Sequence, residues 1–231
     1  MRRVRASITL AAMAELVVRG LGRCPYAPVL ALQEELVARK IDGDVADYLL
    51  LLEHEPVYTL GRGADVADLC GAAQRLGVSA HRVGRGGGVT FHGPGQLVAY
   101  PILSLLRGGR DIHRYVRHLE DVLLRVCAAF GVAAMRREGL AGAWVADRKI
   151  AAVGIGVRRW TTFHGVALNI DTDLRFFEAV VPCRVPGMRV TSLARELATG
   201  VPPMEVVQAV FEQEFRAVFG YTAAAREACR P

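Results

Sequence analysis

Lysine is nearly absent from this chain. Among 231 residues there are 29 basic side chains, and only Lys40 and Lys149 are lysines; the rest are arginines. Arginine supplies charge but does not give up its proton at a workable pH, whereas lysine does both, so a lysine kept where arginine is the habit is informative. Cysteine is scarce as well. Cys24, Cys70, Cys127, Cys183 and Cys229 are odd in number, widely spaced and contain no Cys-x-x-Cys pair. That argues against a disulfide framework and against a zinc site, and it predicts a reducing, cytoplasmic setting. No apolar run approaches the roughly 20 residues that span a bilayer. The opening MRRVRASITLAAMAELVV imitates a secretion signal, but Glu15 interrupts its apolar stretch and no small-residue cleavage site follows before Arg19. Internal repeats, low-complexity tracts and linkers are missing too.

What remains is a chain with 52% apolar side chains, long enough to bury one full core. A net charge of +6 and a pI of 9.4 favour an acidic partner. The arginines run from Arg2 to Arg230 without an aromatic-interleaved stripe or a nucleic-acid module, so an acidic carrier protein fits at least as well as nucleic acid.

Periodicity predicts the elements. Val29, Leu32, Leu36, Val37 and Ile41 lie at helical spacing and Asp42-Gly43 stops them. The continuous apolar run 48–52 reads as a strand buried on both faces, followed across Pro56 by a strand at 57–60. Residues 96–102 read as a strand with Pro101 at an edge or an end. The clearest helix covers 112–130, capped by Asp111 and ended by Gly131, with Ile112, Tyr115, Leu119, Val122, Leu123 and Val126 on one face. Strands at 143–146, 149–159 and 164–170 follow, the first two joined by a turn at Asp147-Arg148. A last helix at 204–219 is expected to bury Val206, Val207, Val210, Phe211, Phe215 and Phe219, with Gly220 closing it. Strands clustered as neighbours with helices between clusters predict an α+β (mixed α/β) single domain, a mixed and largely antiparallel sheet flanked by helices. Residues 1–16 read as a poorly defined N-terminal extension and 17–231 as one domain.

Three segments carry chemistry. Residues 84–95 bring six glycines around Arg85, Thr90 and His92, a density that lets backbone amides approach a bound group. Their spacing matches neither a phosphate-cradling P-loop nor a dinucleotide fingerprint. After Lys149, the small residues Ala151, Ala152 and Gly154 leave room for a ligand chain, while His164 reads as a hydrogen-bonded strand histidine. His54 stands between two carboxylates but has no second histidine at metal spacing, so no metal site is expected. The third segment is Val181-Pro182-Cys183, 34 residues beyond Lys149. A lysine beside a thiol stabilises a thiolate and shuttles protons, which is the chemistry of acyl transfer.

Four blocks now stand in order: His54-Glu55-Pro56-Val57-Tyr58-Thr59-Leu60-Gly61-Arg62; Arg85 to His92 with Gly93-Pro94-Gly95-Gln96-Leu97; Lys149-Ile150-Ala151-Ala152-Val153-Gly154 with His164-Gly165-Val166-Ala167-Leu168-Asn169; and Pro182-Cys183 with Val190-Thr191-Ser192-Leu193. Over roughly residues 17–220 the chain resembles the octanoyltransferases of lipoate biosynthesis, departing at Arg184, where that family has glycine. The resemblance implies a fold like the catalytic domains of biotin and lipoate protein ligases. It implies Cys183 as the acyl-thioester nucleophile and Lys149 as the group lowering its pKa. It implies substrate contacts at Arg85, Gly86, Gly87, Gly88, Val89, Thr90, Phe91 and His92, at Ala152, Val153 and Gly154, and at Gly165, Val166 and Ala167. The partners implied are octanoyl-acyl carrier protein, whose phosphopantetheine carries the acyl group, and the lipoyl domains of 2-oxoacid dehydrogenase E2 subunits and the glycine cleavage H protein. No metal or nucleotide cofactor, nucleic acid or membrane is implied. An ATP-dependent lipoate ligase would share fold, glycine loop and lysine but needs no cysteine, and a non-catalytic acyl-carrier binding module would need neither Lys149 nor Cys183.

Overall fold

The computed structural model describes residues 14–69, 71–178, 180, 188–198 and 200–222. In chain order the strands are β1 (Leu16–Cys24), β2 (Asp47–His54), β3 (Val57–Leu60), β4 (Ser79–Arg82), β5 (Val89–His92), β6 (Gln96–Ile102), β7 (Met135–Arg137), β8 (Leu140–Val145), β9 (Arg148–Arg158), β10 (Thr161–Asn169) and β11 (Arg189–Val190). The helices are α1 (Tyr26–Ile41), α2 (Ala72–Leu76), α3 (Ile112–Ala129), α4 (Arg175–Glu178), α5 (Leu193–Glu196) and α6 (Met204–Phe219). The large sheet runs β1-β2-β6-β10-β9-β8-β7, with β11 parallel to β9. Its pairings are antiparallel except β1 with β2 and β11 with β9, which is the mixed, largely antiparallel sheet expected. A smaller sheet, β4-β3-β5, packs beside it.

The apolar run of β2 is buried on both sides because each face meets a different helix. Leu49 and Leu51 join the cluster beneath α3 and α6, whereas Tyr48, Leu50 and Leu52 join the cluster beneath α1. Removing such side chains from water contributes about 1.5–3 kcal/mol each. Helix α3 begins where Asp111 accepts a hydrogen bond from the Arg114 amide at 2.8 Å. Leu119, Val122, Leu123 and Val126 are fully buried on its inner face. Both closing glycines lie in the left-handed region, Gly131 at φ 80° and Gly220 at φ 78°, where a side chain is disfavoured.

Several expectations shift. Ile112 and Val206 are 38% and 46% exposed, each in the first turn of its helix. Leu16–Cys24, whose apolar residues do not alternate cleanly, forms a strand parallel to β2. Pro101 lies at an end, as β6 is central and its ladder with β10 covers only Gln96 to Ala99. The β8–β9 turn is Ala146-Asp147, one residue earlier than read, and β9 joins β10 through Arg159-Trp160, both at positive φ. That two-residue geometry matches sheet twist but carries no glycine to announce it. The glycine-rich stretch, read as a loop, contains strand β5 at its far end, paired antiparallel with β3.

Candidate active site

A cavity opens between the two sheets, enclosing about 800 Å³ of atom-free space, part of it open to solvent. Its floor is the face of the large sheet that looks toward the small one. Gln96 and Tyr100 reach it from β6, Gly165, Ala167 and Asn169 from β10, Ala152 and Gly154 from β9, and the glycine loop forms the opposite wall. Small residues at successive inward positions leave the trough empty.

Lys149 enters this trough through a break in register. Along β8 and β9 the partners are Gly142 with Ala152 and Ala143 with Ala151, then Trp144 with Lys149. Ile150 is therefore an extra residue on β9, a bulge that flips the side-chain order. Without it, Lys149 would share the α3 side with Ala151; with it, Lys149 shares the cavity side with Ala152 and Gly154. The bulge is also held by the residue that follows β11, where the Thr191 amide donates to the Lys149 carbonyl at 2.9 Å. Gly142 clears the way for the lysine stem. At φ 129° it adopts a conformation closed to other residues, and a Cβ there would collide with the Ala151 carbonyl and stand 3.0 Å from Lys149 Cε.

Arg85 builds the opposite wall. Its guanidinium donates to the Thr59 carbonyl and hydroxyl at 2.7 Å each, and to the Gly86 and Gly88 carbonyls at 2.9 and 3.0 Å, tying the loop to β3. The Gly86 amide then donates to the Ile155 carbonyl at 2.8 Å, tying the loop to β9. Closeness is why these positions are glycine: a Cβ on Gly154 would stand 3.0 Å from Arg85 Cδ.

A polar chain links the walls. Gln96 Oε1 lies 2.7 Å from His92 Nδ1, its amide donates to Asn169 Oδ1 at 2.9 Å, and Asn169 donates to the Thr191 carbonyl at 2.9 Å. The three histidines here are neutral. Burial pushes His54 down to about 4 and His164 to about 3, and holds His92 well below the usual imidazole range. His54 is occupied by the Cys24 carbonyl at 3.1 Å and the Tyr100 hydroxyl at 2.9 Å, a structural role. His164 lies on a strand, β10, as expected, but at φ 55° in the left-handed region, and its buried Nε2 has no hydrogen-bond partner. No carboxylate lines the cavity among the described residues, and the formal charges those residues bring to it are the positive ones of Arg85 and Lys149. No cluster of three metal-ligating side chains occurs among them either.

Every expected substrate-binding position lines the cavity except Phe91. Strand alternation sends that ring to the other face of β5, where it stacks on Phe176 with centroids 4.4 Å apart. The side chains of Val153 and Val166 pack toward α3, so they offer the cavity mainly backbone. Cys183, with Pro182 and Arg184, lies outside the described residues; Phe177 and Met188 on either side of that segment both line the cavity. Sequence reasoning missed Tyr26, Tyr100 and Gln96 as cavity residues. Only the run of inward-facing polar and aromatic residues in an otherwise apolar β6 could have signalled the last two.

The fold is that of lipoyl and biotin protein ligase catalytic domains. The bipartite lipoate protein ligase of Thermoplasma acidophilum superposes with a TM-score of 0.70 at 18% identity, covering 93% of this chain and 86% of that one. Biotin protein ligase from Aquifex aeolicus does so at 0.50 and 10%, covering 88% and 69%. Residues 25–216 match the family model of the lipoyl protein ligase A/B catalytic domain. Relatives named octanoyltransferase are 45% identical over 195 residues in Geobacter metallireducens, covering 84% of this chain and 90% of theirs, and 46% over 211 residues in Gloeobacter violaceus, covering 90% and 93%. The chain belongs to the octanoyltransferase family, a family of acyltransferases.

Proposed function

We propose that this protein moves an octanoyl group from octanoyl-acyl carrier protein to the target lysine of lipoyl domains, through a thioester on Cys183, in the cytoplasm. The lipoyl domains are those of 2-oxoacid dehydrogenase E2 subunits and of the glycine cleavage H protein. The observation that carries the reading is Lys149: a bulge and a glycine aim a buried ammonium into a trough walled by small residues and free of described carboxylates. Cys183 is five residues from Met188, a cavity residue, and five residues of chain span at most about 17 Å.

An ordinary cysteine, with a pKa of about 8.5, is only a few per cent thiolate at neutral pH. Bringing it to about 7 takes about 2 kcal/mol, and an ammonium about 4 Å away at an effective dielectric near 20 offers about 4 before desolvation is subtracted. One lysine suffices. The Cys183 thiolate attacks the donor's thioester carbonyl, the carbon–sulfur bond to phosphopantetheine breaks, and the departing thiol takes the proton of Lys149. The amine of the target lysine then attacks the enzyme thioester, loses its proton to the now neutral Lys149, and expels Cys183 as thiolate. Protons balance over the cycle, and neither metal nor nucleotide has a step.

The acyl chain is read as lying along Ala152, Val153, Gly154, Gly165, Val166 and Ala167, under the loop from Arg85 to His92. Phe91 supports β5 from behind. The test is octanoylation of apo lipoyl domain followed by mass. Octanoyl carrier protein is expected to give product without ATP, and free octanoate with ATP to give none. Product only from octanoate and ATP would assign the protein to adenylate chemistry instead.

A further inference from the structure

Lys149 is buried, and the other formal charge on its described cavity wall is the cation Arg85. Burial disfavours a charged ammonium in general, and the reading above needs this one charged at rest. Directly opposite on β8 stands Trp144, whose ring centroid lies 5.0 Å from Lys149 Nζ. The ring is itself buried, and its indole N–H is anchored by donating to the Leu140 carbonyl at 3.1 Å. Arg137, on the exposed strand β7, places its guanidinium carbon 4.8 Å from the same centroid.

We infer that Trp144 is a positioning residue for Lys149: its fixed ring holds the ammonium at the end of the bulge and keeps it protonated by cation–π attraction. Tryptophan is the strongest side chain for this contact, and the contact gains when water is excluded. The bulge makes the pairing possible, since with unbroken register Trp144 would not face Lys149. Trp144 touches no reacting atom and acts only through the lysine. Other charged groups bear on the same ammonium. Arg85 and His92 face it across the cavity, the latter neutral through burial. Glu120 on α3, paired with Arg136, accepts from the Gly142 amide at 3.0 Å behind the lysine stem. Arg148 with Glu196, and Arg189 with Asp147, flank the strand end. All of these remain in place when Trp144 alone is changed.

The inference rests on Lys149 ionising Cys183, and the experiment separates the two. The alkylation rate of Cys183 by iodoacetamide is measured against pH in the full-length chain, with the modified peptide identified by mass so that the other cysteines do not count. Lys149→Met is expected to move the midpoint up to about 8.5, the ordinary thiol value. Trp144→Leu is expected to move it up by about one pH unit, the size of a desolvated cation–π contact, and Trp144→Phe by less. In Trp144→Leu, kcat should fall about tenfold while KM for octanoyl carrier protein stays within about twofold. Arg137→Gln frees the ring from a competing cation and should not raise the midpoint. If Trp144→Leu does not fold, the shift in Trp144→Phe decides. A folded Trp144→Leu, or in its place a folded Trp144→Phe, that titrates with the wild type while Lys149→Met is shifted would overturn the role of Trp144. An unshifted Lys149→Met would overturn the role of the lysine, and this inference with it.

Discussion

Lys149→Met is expected to slow acyl transfer about a thousandfold while leaving the protein folded. Two losses combine. On the proposed mechanism, Cys183 without the ammonium should return to a few per cent thiolate at neutral pH, and the acid–base step, worth about 10²–10⁴, should lose its carrier. Methionine fits the same channel beside Gly142, so the loss is chemical rather than steric. Lys149→Arg separates the two contributions. A guanidinium keeps the charge but releases no proton; the departing thiolate, a good leaving group, can take its proton from water instead, so the acyl-enzyme should form within about tenfold of the normal rate and then discharge to the lipoyl domain about a hundredfold more slowly. Rapid-quench measurement of the two half-reactions reads both numbers. Normal discharge by Lys149→Arg would remove proton transfer from the lysine's duties and leave it the electrostatic one.

Gly142→Ala is expected to be the most damaging single methyl group near the site. The position sits at φ 129°, and the added carbon would run into the Ala151 carbonyl, a backbone atom fixed in the β8–β9 ladder. Strained backbone costs about 1–3 kcal/mol, and the strand must shift to relieve the overlap, so a loss of about 3 kcal/mol in unfolding free energy is expected. Any shift moves Lys149, because the same carbon would stand 3.0 Å from Cε. Stability from denaturant unfolding and kcat of the folded fraction should therefore fall together. Gly139, also at positive φ but with nothing near its added carbon, is the control: Gly139→Ala should cost only the backbone strain and leave kcat unchanged.

Much of this arrangement was legible in the sequence, and the illegible parts share a cause. Periodicity announced α3 and α6 down to Asp111, Gly131 and Gly220, because a helix buries one stripe and its caps have fixed chemistry. The run in β2 was legible because both of its faces are covered. The β9–β10 hairpin was blurred, since Arg159 and Trp160 take left-handed conformations that their identities do not advertise. Of the site, the rarity of lysine singled out Lys149, and the family blocks gave the positions around it. Strand alternation then removed Phe91 from the cavity, and a residue-by-residue carry-over of a continuous block cannot see alternation. The bulge at Ile150 was invisible for the opposite reason: it is defined by pairing across strands, and Gly142, which permits it, lies on the neighbouring strand β8.

The central claim is that Cys183 carries the acyl group between donor and acceptor, and intact-protein mass spectrometry tests it most directly. Mixed with octanoyl carrier protein, the enzyme should gain one octanoyl adduct that hydroxylamine removes, that maps to Cys183 and that Cys183→Ser does not form. Adding apo lipoyl domain should move the adduct onto the domain. Transfer at the wild-type rate by Cys183→Ser, or an adduct on Cys183 that never leaves for the lipoyl domain, would contradict the account.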